Sequence, residues 1–152
     1  MVDIKSMIIP AVAAGIAAAL FSTVINVASI FLPFVGMCGM ACCLWLMAAG
    51  FFAAFLTKKM SGKITTQDGA IVGMLTGFVA AVVETVFTAI LMIANFAPAM
   101  PALANLGLLG FGGGGLVGTL ILLAIGFMLS LLVNLVFCGV GAVLGAVVLE
   151  KK

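Results

Sequence analysis

The chain has 152 residues, 66% of them hydrophobic and only 7% charged, with no His, Arg or Tyr. A soluble domain carries roughly 25% charge, so this composition excludes the soluble globular class and indicates a membrane protein. The net charge of +2 rests on six lysines outside the apolar runs, which suits a membrane surface and gives no footprint for nucleic acid.

Taken in order, the first apolar run covers about 7–32 and is stopped by Pro33. It is too long for the h-region of a secretory signal, roughly 7–15 residues, so a retained span is expected. The second run covers about 36–56 and ends at Thr57-Lys58-Lys59. A short polar loop is expected over 57–68, facing the cytoplasm, with Thr65, Thr66 and Asp68 able to cap the next helix. The third run covers about 69–95, and the fourth about 116–149. A span needs only about 20 residues, so the fourth must tilt, start outside the hydrocarbon core or break near its start. The fold class expected is an all-α membrane protein, one domain of four transmembrane helices arranged as two helical hairpins.

Orientation follows from the lysines. Lys5, Lys58, Lys59, Lys63, Lys151 and Lys152 all fall on one side of such a bundle, and the two opposite loops carry no charge. The positive-inside rule then places both termini and the middle loop in the cytoplasm of a cell or inner membrane. The outer loop 96–115 is uncharged and rich in proline and glycine. A short helix over about 99–109, lying on the interface or re-entrant, is expected there. Gly110-Phe111-Gly112 is similar to the tip of a potassium-channel filter, but Leu108-Leu109 stand where that family has Thr-Val. A hinge before the fourth span is the reading adopted.

The first and third runs match one another: GIAAALFSTV from Gly15 aligns with GFVAAVVETV from Gly77. The second and fourth match more faintly, at Cys43/Cys138 and Gly50/Gly145. The similarity reads either as a parallel internal duplication or as the shared composition of Ala- and Gly-rich helices. A duplication predicts two hairpins related by a pseudo-two-fold along the membrane normal, with Ser22 level with Glu84 and Asn26 with Thr88.

Each run carries a stripe of small residues. The packing positions expected from these stripes include Gly15, Gly73, Gly77, Gly141 and Gly145, with true GxxxG pairs at Gly73/Gly77 and Gly141/Gly145. Such stripes predict a tight bundle, and a homo-oligomer or a seam with a membrane-complex partner is a further expectation. Cys38, Cys42, Cys43 and Cys138 lack paired C-x-x-C spacing and have no His beside them, so no metal site and no redox pair is expected.

Glu84 is the functional candidate. A carboxyl near mid-bilayer costs on the order of 3 kcal/mol on insertion scales, and no apolar run holds a cation to pair with it. It lies seven residues after Gly77, on the face of the glycine ladder. Ser22, Asn26 and Asn134 are the neutral polar residues expected around it, forming an ion or proton site. The structural alternative is a neutral acid that joins neighbouring helices, or one that pairs with a basic residue of a partner. The chain offers no His, no nucleophile–base pair and no phosphate loop, so neither catalysis nor a cofactor is expected.

Two resemblances bear on this. The run Val83-Glu84-Thr85 with its apolar tail resembles the ion-binding helix of the duplicated proteolipid of rotary ATPases, which would imply an ion-site role for Glu84. That family carries its carboxylate on the second helix of a hairpin, whereas Glu84 is on the first helix of the second. Cys42-Cys43, Ala48-Ala49-Gly50 and the run TTQDGAIVGMLTG at 65–77 resemble small prokaryotic four-span membrane proteins, which implies an architecture and no activity. Two functional readings stand: ion- or proton-coupled transport centred on Glu84, or a non-catalytic accessory or scaffold subunit of a membrane complex.

Overall fold

The computed structural model describes residues 4–31, 39–93 and 116–150, with side chains described over 7–25, 44–90, 120–121 and 123–150. Four α-helices account for nearly all of these: α1 (Ile4–Phe31), α2 (Gly39–Ser61), α3 (Thr66–Ile93) and α4 (Leu116–Glu150). Residues 7–25 of α1, 66–90 of α3 and 123–150 of α4 are long and apolar enough to cross a membrane. The described part of α2, residues 44–61, is not among these candidates. The expected span at 36–56 is thus not among the membrane-crossing candidates. The outer loop 96–115, its expected short helix and Cys38 lie outside the described residues.

The polar connection is shorter than the composition suggested. Helix α2 runs through Ser61, and α3 begins at Thr66. Lysines suit a helix C-terminus electrostatically, and Thr57 satisfies its hydroxyl on Ala53 O, so neither ends the helix early. Gly62 ends it, at φ 73° with its N–H donating to Lys58 O. Thr65 then forms a reciprocal cap with Asp68. Asp68 N–H donates to Thr65 Oγ1, while Thr65 N–H and Oγ1–H donate to Asp68 Oδ2. Lys58 Nζ donates to Leu149 O, so the C-termini of α2 and α4 meet at the end where α3 starts. Pro10, inside α1, is fully buried at the same end of the bundle.

Helix α4 packs most extensively, against α3 and α2, while α1 packs against α3 and α2. Among the described residues α1 and α4 scarcely meet. The order around the bundle is therefore α1, α2, α4, α3. A two-fold along the membrane normal exchanging the hairpins would set α1 diagonal to α3. Instead α1 lies directly beside α3, and α2 beside α4, so the hairpins are related by a sideways shift. Ser22 does sit level with Glu84, as the alignment at 15–24 and 77–86 required. The fainter match does not hold in register. Gly50 faces Cys138 and Ala142, while Gly145 faces Phe51 and Ala54.

Glycine sets these distances. A Cβ at Gly50 would run into the Cys138 carbonyl, and one at Gly141 into the Met47 backbone. The expected ladder on α3 holds as well, with Gly73 against Cys138 and Ala142 and Gly77 against the Asn134 backbone. Gly15 likewise approaches Thr76 and Val79. The interior is accordingly built of small side chains, with Ala11, Ala53, Ala54, Ala81, Ala142 and Ala146 all 0% exposed. Large apolar side chains point outward instead, among them Leu44, Phe52, Met74 and Leu132. Phe21 and Trp45 stack at 3.9 Å between α1 and α2.

Gly141→Leu should destabilise the bundle by about 1–3 kcal/mol, since backbone cannot yield as a side chain can. Gly139→Ala meets nothing and should be neutral or stabilising by up to ~1 kcal/mol. Unfolding in mild detergent, followed by circular dichroism, separates the two.

Candidate functional site

Glu84 lies in the sixth turn of α3, two turns beyond Gly77. The close approach at Gly77 fixes the antiparallel register of α3 on α4, and continuing it brings Ser130 and Asn134 beside the carboxyl. Ser130 Oγ–H donates to Glu84 Oε2 at 2.9 Å, and Asn134 Nδ2–H donates to the same oxygen at 3.3 Å. Helix α1 runs parallel to α3 on its other flank. From there Ser22 Oγ–H donates to Glu84 Oε1 at 3.0 Å. The carboxyl therefore spans the gap between α1 and α4, two helices that otherwise hardly touch.

Of the residues expected here, the structure brings Ser22 and Asn134 to Glu84. Asn26 lies in α1 one turn further on, and its side chain is outside those described. Ser130, which is not among the neutral polar residues expected around Glu84, joins them. Its signal in the sequence is the i, i+4 relation to Asn134, which puts both on one helix face.

Asn134 holds the α4 side together. It is 3% exposed, and its Nδ2 lies 2.9 Å from Ser130 O and 3.0 Å from Ser130 Oγ as well as near Glu84. Its Oδ1 is buried without a hydrogen-bond partner. An unsatisfied buried acceptor costs about 1–3 kcal/mol, so Asn134 is held here against its own interest. Glu84 itself is half-buried, as are Ser22 and Ser130.

The two carboxyl oxygens thus face hydroxyl and amide donors, with no charged partner among the described residues. Serine hydroxyls both donate and accept. They can turn to receive a hydrogen bond from a protonated Glu84 or give one to an ionised Glu84, without any heavy atom moving. Among the described residues no three His, Cys, Asp or Glu side chains converge as a metal cluster requires. Among the described residues Glu84 is the only carboxyl group in the middle of the bundle.

No protein-family model, no curated protein and no solved structure matches this chain.

Ser22→Ala and Ser130→Ala should each weaken the folded bundle by about 0.6 kcal/mol, the average for side-chain hydrogen bonds between membrane helices. The double variant should cost more than the sum, because it strips a hydroxyl from each carboxyl oxygen. A double-mutant cycle on detergent unfolding measures this.

Proposed function

We propose that this is a four-span membrane protein that moves protons or small cations, with Glu84 as the group that takes them up. The observation that carries the reading is a carboxyl in the middle of apolar helices held by neutral donors alone. A group fixed by a cation would have its charge neutralised permanently. A group held by hydroxyls and an amide keeps its capacity to bind and release a positive charge.

Helix α2 is read as the fourth span because it packs against α1 and α4 at the level of the apolar helices. It also presents Leu44, Phe52 and Phe55 outward. The lysines at the α2–α3 connection support a cytoplasmic placement of that end and of both termini, by the positive-inside rule. The protein is read as non-catalytic, and a homo-oligomer or membrane-complex partner covering part of its apolar surface belongs to the same proposal.

One observation favours the second reading, an accessory or scaffold subunit. Glu84 connects α1 to α4, so it also acts as a rivet. The variants separate the readings. If Glu84 carries the ion, Glu84→Gln leaves the bundle folded and reduces pH-linked flux in proteoliposomes to background. If it is only a rivet, Glu84→Gln changes little in any assay and Glu84→Leu weakens assembly. Purification in mild detergent adds a separate observation: a partner-free homo-oligomer accords with transport, and stoichiometric co-purifying subunits accord with the scaffold role.

A further inference from the structure

The inner faces of the helices change character at the level of Glu84. On the lysine-bearing side they are sealed. Ala81, Thr76, Ala54, Thr57 and Cys138 are all 0% exposed, and the glycines bring backbone onto backbone through this region. The hydroxyls there are already committed. Thr57 Oγ1–H donates to Ala53 O and Thr76 Oγ1–H to Val72 O, each within its own helix. Among the described residues no chain of free hydroxyls leads from Glu84 toward the lysines.

On the other side the described faces of α1, α3 and α4 are less covered. One turn beyond the alanines and Asn134, the residues in line with them are half-buried: Ser22 and Ile25 on α1, Glu84 and Thr88 on α3, Phe127 and Ser130 on α4. The tight packing ends at the carboxyl. Fully buried small side chains fill the sealed half, and half-buried ones line the described faces of the other.

The donor set also bears on what binds. The oxygens of Glu84 reach in opposite directions, one to α1 and one to α4, each at hydrogen-bond length. The Ser130 oxygens that could join a metal's shell already surround the Asn134 amide nitrogen. That pattern suits hydrogen exchange at a carboxyl rather than oxygens converging on one ion. The titratable side chains of the packed helices are Lys5 on α1, Cys42, Cys43, Lys58 and Lys59 on α2, Asp68 on α3, and Cys138 and Glu150 on α4. Among the described residues none of them bonds to Glu84, and the groups that face it are Ser22, Ser130 and Asn134.

We infer that Glu84 is a proton site loaded from the lysine-free end of the bundle, with the glycine- and alanine-packed half as the closed barrier. This rests on the transport reading and names its substrate and its side of entry. The proton passes from a hydronium ion to a carboxylate oxygen, forming the O–H bond of the neutral acid and leaving water. The serine beside the protonated oxygen turns to accept from it, and the other goes on donating to the remaining carbonyl oxygen. Release to the lysine-bearing side then requires the helices to part along the Gly50/Gly141 and Gly73/Gly77 contacts.

The test uses the full chain with Cys38, Cys42 and Cys43 changed to Ser and Cys138 changed to Ala, reconstituted in one orientation in vesicles. Thr88→Cys and Thr76→Cys each place one thiol on α3, on either side of Glu84, which is left intact. A membrane-impermeant thiol reagent should label Thr88→Cys from the lysine-free side only and Thr76→Cys from neither side. Labelling of Thr76→Cys from any side, or of Thr88→Cys from the lysine-bearing side or not at all, overturns the sidedness. The substrate is tested on the unaltered chain by infrared difference spectra after a pH step on the lysine-free side. The protonated-carboxyl band should appear, be lost in Glu84→Gln, and be unchanged when sodium replaces potassium. A band that sodium suppresses, or none, overturns the proton assignment. Loss of flux in Glu84→Gln together with either failed result would leave the transport reading standing and remove this one.

Discussion

Everything in this bundle depends on how closely α4 can approach α2 and α3. In lipid, apolar side chains gain little by leaving the membrane for a helix interface, so association rests on close packing and interhelical hydrogen bonds. Gly50 and Gly141 let the backbones of α2 and α4 touch, and Gly73 and Gly77 do so for α3 and α4. That contact also acts as a ruler. With Gly77 resting on Asn134, Ser130 must fall opposite Glu84, two turns further along α3. A larger residue at these glycines would separate the helices and carry the hydroxyl out of reach of the carboxyl.

The polar side chains divide into two groups by chemistry. Thr23, Thr57, Thr76, Thr85 and Thr88 each donate to the carbonyl four residues earlier in their own helix. Such back-bonding uses the hydroxyl's one hydrogen locally and leaves it none to donate to a neighbouring helix. Ser22 and Ser130 reach across instead. Between the ends of the bundle, the Glu84 cluster is where side chains of different helices hydrogen-bond among the described residues. On the proposed reading, stability and function are drawn from the same four residues. The carboxyl that joins α1 to α4 is also the group able to change charge.

This double use has a consequence for motion. Protonation of Glu84 would reverse the hydrogen bond at one of its two oxygens, within the side-chain link that joins α1 to α4 among the described residues. Those two helices share little other contact. The α3–α4 and α2–α4 seams are backbone-to-backbone and resist small displacement. Rearrangement accompanying proton binding is expected first at α1, the helix whose tie runs through Ser22 and Gly15.

The sequence by itself determined the class, the helices and the candidate residue. Those properties are local: apolar length, lysine placement and a lone carboxyl are written in single stretches of chain. The stripes of small residues are also local, and the glycines expected to mediate packing do face neighbouring backbone or side chains. The alignment of Gly15 with Gly77 placed Ser22 level with Glu84 because parallel neighbouring helices preserve depth. Helix α2 runs past the end of its apolar run because lysine, a loop residue by polarity, suits a helix C-terminus by charge, as Lys58 does on α4. The rest was decided by tertiary structure. No periodicity states that α1 lies beside α3 and away from α4, because several arrangements bury the same stripes. Only the docking of α4 on Gly77 recruited Ser130, and only the packing showed that full burial ends near Ala81 and Asn134 on the described faces of α1, α3 and α4. Contacts of that kind depend on helices far apart in the chain, and on which of them the glycines allow to come closest.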